Sequence, residues 1–160
     1  MRGRPPGFFE RLFDTQQAGA TLALQSVDEL KDAVARDLES LLNTRTIVED
    51  ADLKGFDACA ASLLTYGLTD FAGRSLSSPT DRAHICACLE QAILRHEPRL
   101  KNVKAALEVR EDAINSIQFS ISAMLVAGSE LETVSFDANL QPSSLHYTIS
   151  RARRSAARPG

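Results

Sequence analysis

Pro98 divides this chain into two stretches with different hydrophobic periods. Before it, apolar residues recur at spacings of three and four, the repeat of a helix that buries one face. After it they recur at every second position, the repeat of a strand. A proline disfavours the helical conformation at the residue before it, so Glu97 closes a helix and Pro98 begins a change of direction. Helices followed by consecutive strands define an α+β domain, with N-terminal helices packed on one face of a three- to four-stranded antiparallel sheet.

The helical half has clear start signals. Ser26-Val27-Asp28-Glu29 fits the capping box, in which a hydroxyl at the N-cap and a glutamate three residues on answer two orphan amides. Val27, Leu30, Val34, Leu38 and Leu41 then form one apolar stripe, and Asn43 suits the left-handed residue that ends a helix. Residues 43–57 read as a polar, acidic loop. Ala58–Tyr66 reads as a short, largely buried helix stopped by Gly67. Ser78-Pro79-Thr80-Asp81 supplies an N-cap serine, a proline at the first helical position and an acid in the first turn. That helix runs to about His96, with Ile85, Leu89, Ala92, Ile93 and His96 on its inner face.

In the second half, Val103, Ala105, Leu107 and Val109 alternate with polar or small residues, and Glu111-Asp112 marks a turn. Ile117, Phe119, Ile121, Ala123 and Leu125 alternate without a break, the clearest strand in the chain. After Gly128-Ser129, Val134 and Phe136 alternate again, and His146, Tyr147 and Ile149 make a weak last strand. Read this way, residues 145–150 leave an edge of unpaired amides and carbonyls to which another chain can add a strand, with Val134 and Phe136 setting the register.

Size and charge exclude several classes. The 160 residues suit one domain with tails, and 44% hydrophobic content is ordinary for a globular chain. Residues 1–25 form an arm carrying Phe8, Phe9, Leu12 and Phe13, residues 26–150 the domain, and residues 151–160 a basic tail expected to be disordered. Residues 5–150 hold 12 basic and 21 acidic side chains, a net charge of −9 that repels a phosphate backbone and argues against nucleic acid. No apolar run approaches the ~20 residues of a membrane span, and nothing directs the chain out of the cytoplasm.

Nothing in the chain has the spacing of a phosphate loop, a zinc-protease helix or a nucleophile elbow. His84, Cys86 and Cys88 are the one metal-like group, but Cys86 points about 200° from the other two at ~100° per helical residue. The three cysteines read as small packing residues, and no metal or cofactor is expected. Glu97 stands at a helix C-terminus, where the dipole disfavours a carboxylate by ~0.3–1 kcal/mol, so it calls for a cation. Arg99 is near.

Four segments together resemble one family. Arg36-Asp37-Leu38-Glu39-Ser40-Leu41-Leu42-Asn43-Thr44-Arg45 resembles the RDLExLLNTR signature of TssE, a baseplate subunit of the type VI secretion system related to phage baseplate wedge proteins. Tyr66-Gly67-Leu68-Thr69-Asp70 is similar to its YGLPD element, with Thr69 in place of proline. His96-Glu97-Pro98-Arg99-Leu100 resembles its EPRL element, and Phe9-Glu10-Arg11-Leu12 a short stretch near its N-terminus.

The resemblance implies a structural, non-enzymatic role in the wedge of a contractile injection machine. Its implied partners are TssF- and TssG-like wedge subunits and TssB/TssC-like sheath subunits, whose assembly it would start by strand pairing. The implied place is the cytoplasmic side of the inner membrane, with no small-molecule substrate, nucleic acid or membrane insertion. Glu97, Pro98 and Arg99 correspond to the element that meets the wedge, with Arg36, Asp37 and Arg45 in the other signature. On this view Arg99→Ala leaves the domain folded and weakens assembly. Some phage relatives carry the name lysozyme, so the alternative is a peptidoglycan hydrolase using Glu97. An adjacent arginine favours the ionised carboxylate, the wrong state for a general acid.

Overall fold

The computed structural model describes residues 26–70, 73–108 and 116–152. The expected N-terminal arm, Val109, the Glu111-Asp112 turn and tail residues 153–160 lie outside them. Helix α1 spans Val27–Asn43 and opens on the expected capping box. Ser26 N–H donates to Glu29 Oε2 at 2.7 Å, and Glu29 N–H to Ser26 Oγ at 3.2 Å. Its apolar stripe buries Leu30, Val34, Leu38, Leu41 and Leu42, while Val27 stays at the surface.

Asn43 does not end α1 in the left-handed conformation. The cap is Thr44, in extended backbone at φ −93°, which frees the Asn43 side chain for a distant contact described below.

The expected buried helix over Ala58–Tyr66 breaks into a one-turn helix α2, Asp57–Ala60, and a 3₁₀ turn, Leu63–Thr65. Ser62 is the cause. Its hydroxyl donates to Cys59 O at 2.7 Å and accepts from Leu64 N–H, offering the main chain an alternative to the helical ladder. Within this segment, expected to be largely buried, Leu63 and Leu64 are 68% and 61% exposed. Helix α3 then spans Pro79–His96, with Ser78 as N-cap and Ile85, Leu89, Ala92 and Ile93 buried.

Four strands follow: β1 Leu100–Glu108, β2 Ile117–Ala127, β3 Glu130–Gln141 and β4 His146–Arg151. They lie in the order β1-β2-β3-β4, each antiparallel to its neighbour. The β2–β3 hairpin turns through Gly128-Ser129, where Gly128 has φ +72°, a conformation such tight turns require. Strict alternation fails in β1: a register shift between Lys101 and Lys104, with Asn102 at φ +51°, lets both Leu100 and Val103 reach the core.

Phe119, Ile121, Phe136, Ala138 and Tyr147 face the helices in one continuous core. The Phe119 and Tyr147 rings meet at 6.2 Å between centroids. The serines and threonines that alternate with them, such as Ser120 and Thr133, face away. α3 lies along β1 and α1 along β4.

That placement overturns one expectation about the last strand. The outward amides of β4 are not free: Tyr147 N–H donates to Asn43 Oδ1 at 2.7 Å and Ile149 N–H to Glu39 Oε2 at 2.8 Å. Asn43 Nδ2 also donates to Tyr147 O at 2.9 Å. The opposite edge is treated alike by α3, with Ala105 N–H donating to Glu90 Oε1 at 2.9 Å. Side chains of the two long helices thus satisfy main-chain groups that would otherwise template a foreign strand.

Candidate functional site: the helix–strand corner

Glu97 caps α3 and is 4% exposed, a buried carboxylate at the unfavourable end of a helix dipole. Its compensation is local. Oε1 accepts from Arg99 Nε at 2.7 Å and from the Arg99 amide at 3.2 Å, and Oε2 accepts from Nη2 at 2.6 Å. This two-oxygen fork is the strong form of the arginine–carboxylate pair. Nη2 also donates to Asp37 Oδ2 on α1, so a single guanidinium ties the first helix to the corner that leaves the last one. Burial alone would lower the Arg99 pKa, but the bonds and charges of Glu97 and then Asp37 outweigh it and hold it above its ordinary value. Nη1 is buried with no acceptor among the described residues.

The main chain of the corner is equally fixed. Glu97 N–H donates to Ile93 O at 2.8 Å, Leu100 N–H to Glu97 O at 3.1 Å, and Val126 N–H to Arg99 O at 2.8 Å. Pro98 stands outermost and exposed between two anchored neighbours.

Tyr66 and His96 complete the surroundings. Their rings meet edge-on with centroids 5.3 Å apart. Burial, then the charges of Asp37 and Glu97, push the Tyr66 hydroxyl up to about 12. His96 Nε2 lies 2.9 Å from Thr65 O, and since a carbonyl only accepts, that nitrogen carries the proton.

Burial lowers the His96 pKa, against a smaller rise from the Thr65 bond. A histidine depressed in the folded state contributes stability above its unfolded value near 6.5. As pH falls below that value the unfolded chain takes up the proton first, and stability is lost until the folded pKa is passed. Urea midpoints measured at pH 7.5 and 5.5 should therefore fall on acidification, and by less in His96→Gln.

The remaining sequence candidates separate. Arg45 closes α1, with Nη1 donating to Leu42 O at 2.8 Å, and Nη2 holds the β3–β4 turn through Leu145 O at 3.0 Å. Arg36 is exposed on α1 next to Asp37. Val134 and Phe136 are 5% and 1% exposed. Both side chains point into this chain's own core, where they meet its helices and not an incoming strand, and that expectation is corrected.

Sequence reading missed a small lobe. Ile47, Phe56, Leu63 and Leu64 are between 61% and 97% exposed, on the connection between α1 and α3. Thr46 Oγ1 donates to Leu64 O, holding the Ile47 turn against the Leu63–Leu64 turn. An apolar Ile47-Val48 pair inside an otherwise acidic loop was the available signal. His84 Nε2 and Cys88 Sγ stand 3.5 Å apart, and among the described residues no three potential ligands form a metal-holding group.

Taken together, these features define a small α+β scaffold whose charged centre is spent on holding a corner rigid. The chain belongs to the baseplate wedge protein gp25 family, whose pattern matches residues 28–130, well over half of it. The family is a structural component of baseplates. No curated protein sequence matches. Among solved structures, one chain of "The baseplate complex from the type VI secretion system" is similar at 18% identity and a TM-score of 0.48, over 71% of this chain and 96% of that one. No helix among the described residues is long and apolar enough to cross a membrane.

Proposed function

We propose that this chain is a TssE-like structural subunit of a type VI secretion baseplate wedge, without enzymatic activity. It would work in the cytoplasm against the inner membrane, bound to TssF- and TssG-like wedge subunits, and would start the assembly of a TssB/TssC-like sheath. Membership of the gp25 family across residues 28–130 is the observation that carries this reading.

The geometry supports a particular surface. Glu97, Arg99 and Asp37 are engaged with one another, so their role is to present Pro98 and the adjacent face of α1, with Arg36, as a rigid edge for a wedge subunit. The exposed lobe around Phe56 offers a second, apolar contact of the sort that larger assemblies cover. Strand pairing with the sheath cannot use the outward amides of Tyr147 and Ile149, already taken by Asn43 and Glu39. It is better placed on β3 beyond the end of β4.

The hydrolase alternative finds less support. A general acid needs a proton to give at a cleft, and both Glu97 oxygens instead accept from Arg99. Purification of the tagged full chain from its native cytoplasm, with partners identified by mass spectrometry, tests the proposal. Wedge and sheath subunits should copurify, and Pro98→Asp should lose the wedge subunits while keeping its melting temperature. Absence of such partners together with muramidase activity would overturn it.

A further inference from the structure

The connection between α1 and α3 inverts the usual partition of side chains. Thr65 is 4% exposed, whereas Leu63 and Leu64 just before it are 68% and 61% exposed, Phe56 62% and Ile47 97%. Single exposed apolar residues are common on any surface, but four large ones on one short connection are not.

Hydrogen bonds hold the inversion in place. Thr65 Oγ1 donates to Ala60 O at 2.9 Å, which satisfies the buried hydroxyl, and Ser62 Oγ donates to Cys59 O at 2.7 Å. Thr46 Oγ1 donates to Leu64 O at 3.1 Å, and the Cys59 and Ala60 amides both donate to Phe56 O at 3.0 Å. The turns that carry Ile47, Phe56, Leu63 and Leu64 are thereby fixed to one another. A surface ordered before it meets a partner loses little freedom on binding.

Charge selects the occupant. Residues 46–70 hold five acidic side chains and one basic, Lys54. Glu49, Asp52 and Asp57 are exposed along the same connection as the apolar residues. A second copy of the lobe would set acid against acid, and like charges face to face are unfavourable.

We propose that this lobe docks a segment of another chain in which large apolar residues are flanked by lysines or arginines. The apolar residues cover Ile47, Phe56, Leu63 and Leu64, and the cations meet Glu49, Asp52 and Asp57. An apolar centre inside a polar rim is the ordinary anatomy of a protein contact. The inference deepens the wedge reading, on which it rests only for the identity of the chain that supplies the segment, a neighbouring wedge subunit.

The probe is a labelled amphipathic peptide of leucine and lysine, titrated into the full chain, with its leucine–glutamate counterpart as control. The lysine peptide should shift the amides of Ile47, Phe56, Leu63 and Leu64 in NMR spectra, and should bind more weakly as salt is raised. Phe56→Ser with Leu64→Ser should weaken it roughly tenfold or more, the loss expected of an interface anchor. Glu49→Lys with Asp52→Lys should weaken it and flatten its salt dependence, whereas Leu131→Ser, at the exposed leucine of β3, should change nothing. Shifts centred on Asp28 and Asp32 of α1, equal binding of the glutamate peptide, or unchanged binding by the lobe variants would overturn the proposal. So would lobe shifts that grow with concentration in the free protein, which would assign the surface to a second copy. Wedge subunits that copurify with the Phe56→Ser, Leu64→Ser chain as fully as with its parent would overturn this docking and leave the wedge reading standing. If the parent recovers none, the wedge reading fails and the peptide titration still decides what the lobe binds.

Discussion

Arg99→Ala should destabilise this domain by about 3 kcal/mol, the lower end of what removing one partner of a buried ion pair costs. At roughly 2–4 °C per kcal/mol for a chain of this size, the melting temperature should fall by about 10 °C. The cost comes less from the lost attraction than from what is left behind. Glu97 is buried, and among the described residues all three donors to its carboxylate belong to Arg99, two of them on the side chain. Asp37 loses its tie to the corner at the same time. Nη1, buried with no acceptor among the described residues, already offsets part of the network's value, which is why the lower end applies.

Arg99→Lys keeps a charge but replaces the planar fork with a compact ammonium, so it should recover only part of the loss. Glu97→Gln with Arg99→Met removes both charges and should cost less than Arg99→Ala alone. Thermal melts of the four proteins decide the matter, and an Arg99→Ala protein as stable as its parent would show that Glu97 finds solvent by rearrangement. Arg99→Ala is still expected to leave the domain folded and to weaken assembly, but the folded domain should be less stable. Any assembly defect in that variant has to be separated from lost stability. Pro98→Asp is the cleaner probe because Pro98 is exposed.

What the sequence disclosed follows from how local each cause is. The capping box at Ser26, the proline at the start of α3 and the change of period at Pro98 act within a few residues, and each appears where the pattern puts it. The Glu97–Arg99 pair was legible for the same reason. Its third member was not legible as a contact, since Asp37 lies 62 residues from Arg99 and only the packing of α1 brings them together. The capped edges are more distant still: Glu39 reaches Ile149 across 110 residues. A strand that looks weak by composition gives no hint that another element's side chains complete it.

Two local patterns misled for a different reason. Ala58–Tyr66 has helix-forming residues, but Ser62 competes for the main chain in the middle of them. Val134 and Phe136 alternate correctly. Alternation says which residues share a face, and leaves open whether that face meets this chain's helices or a neighbour.

Gly67→Ala should be as damaging as the loss of Arg99, at about 3 kcal/mol, and for a reason that lies wholly in the backbone. Gly67 has φ +122°, a conformation that side chains rarely adopt, and an added Cβ would lie 2.6 Å from Thr44 O and 2.8 Å from Thr44 C. Both atoms are main chain, and both belong to the junction that this glycine allows. Leu68 N–H donates to Thr44 O at 2.9 Å and Thr46 N–H to Leu68 O at 3.0 Å, making the parallel bridge between Arg45 and Leu68. To relieve the clash the two segments must separate, which breaks these bonds and draws Leu68, 1% exposed, out of the core. The same movement shifts Tyr66 away from the Glu97 corner and loosens the lobe that carries Ile47 and Leu64. Gly73→Ala is the matched control, with nothing within 4 Å of its added Cβ and no positive φ, and it should be neutral or slightly stabilising. Urea unfolding of both variants checks the claim. Equal midpoints would mean that the bridge yields at little cost, and that the Tyr66-Gly67-Leu68 segment needs its glycine for something other than this close approach.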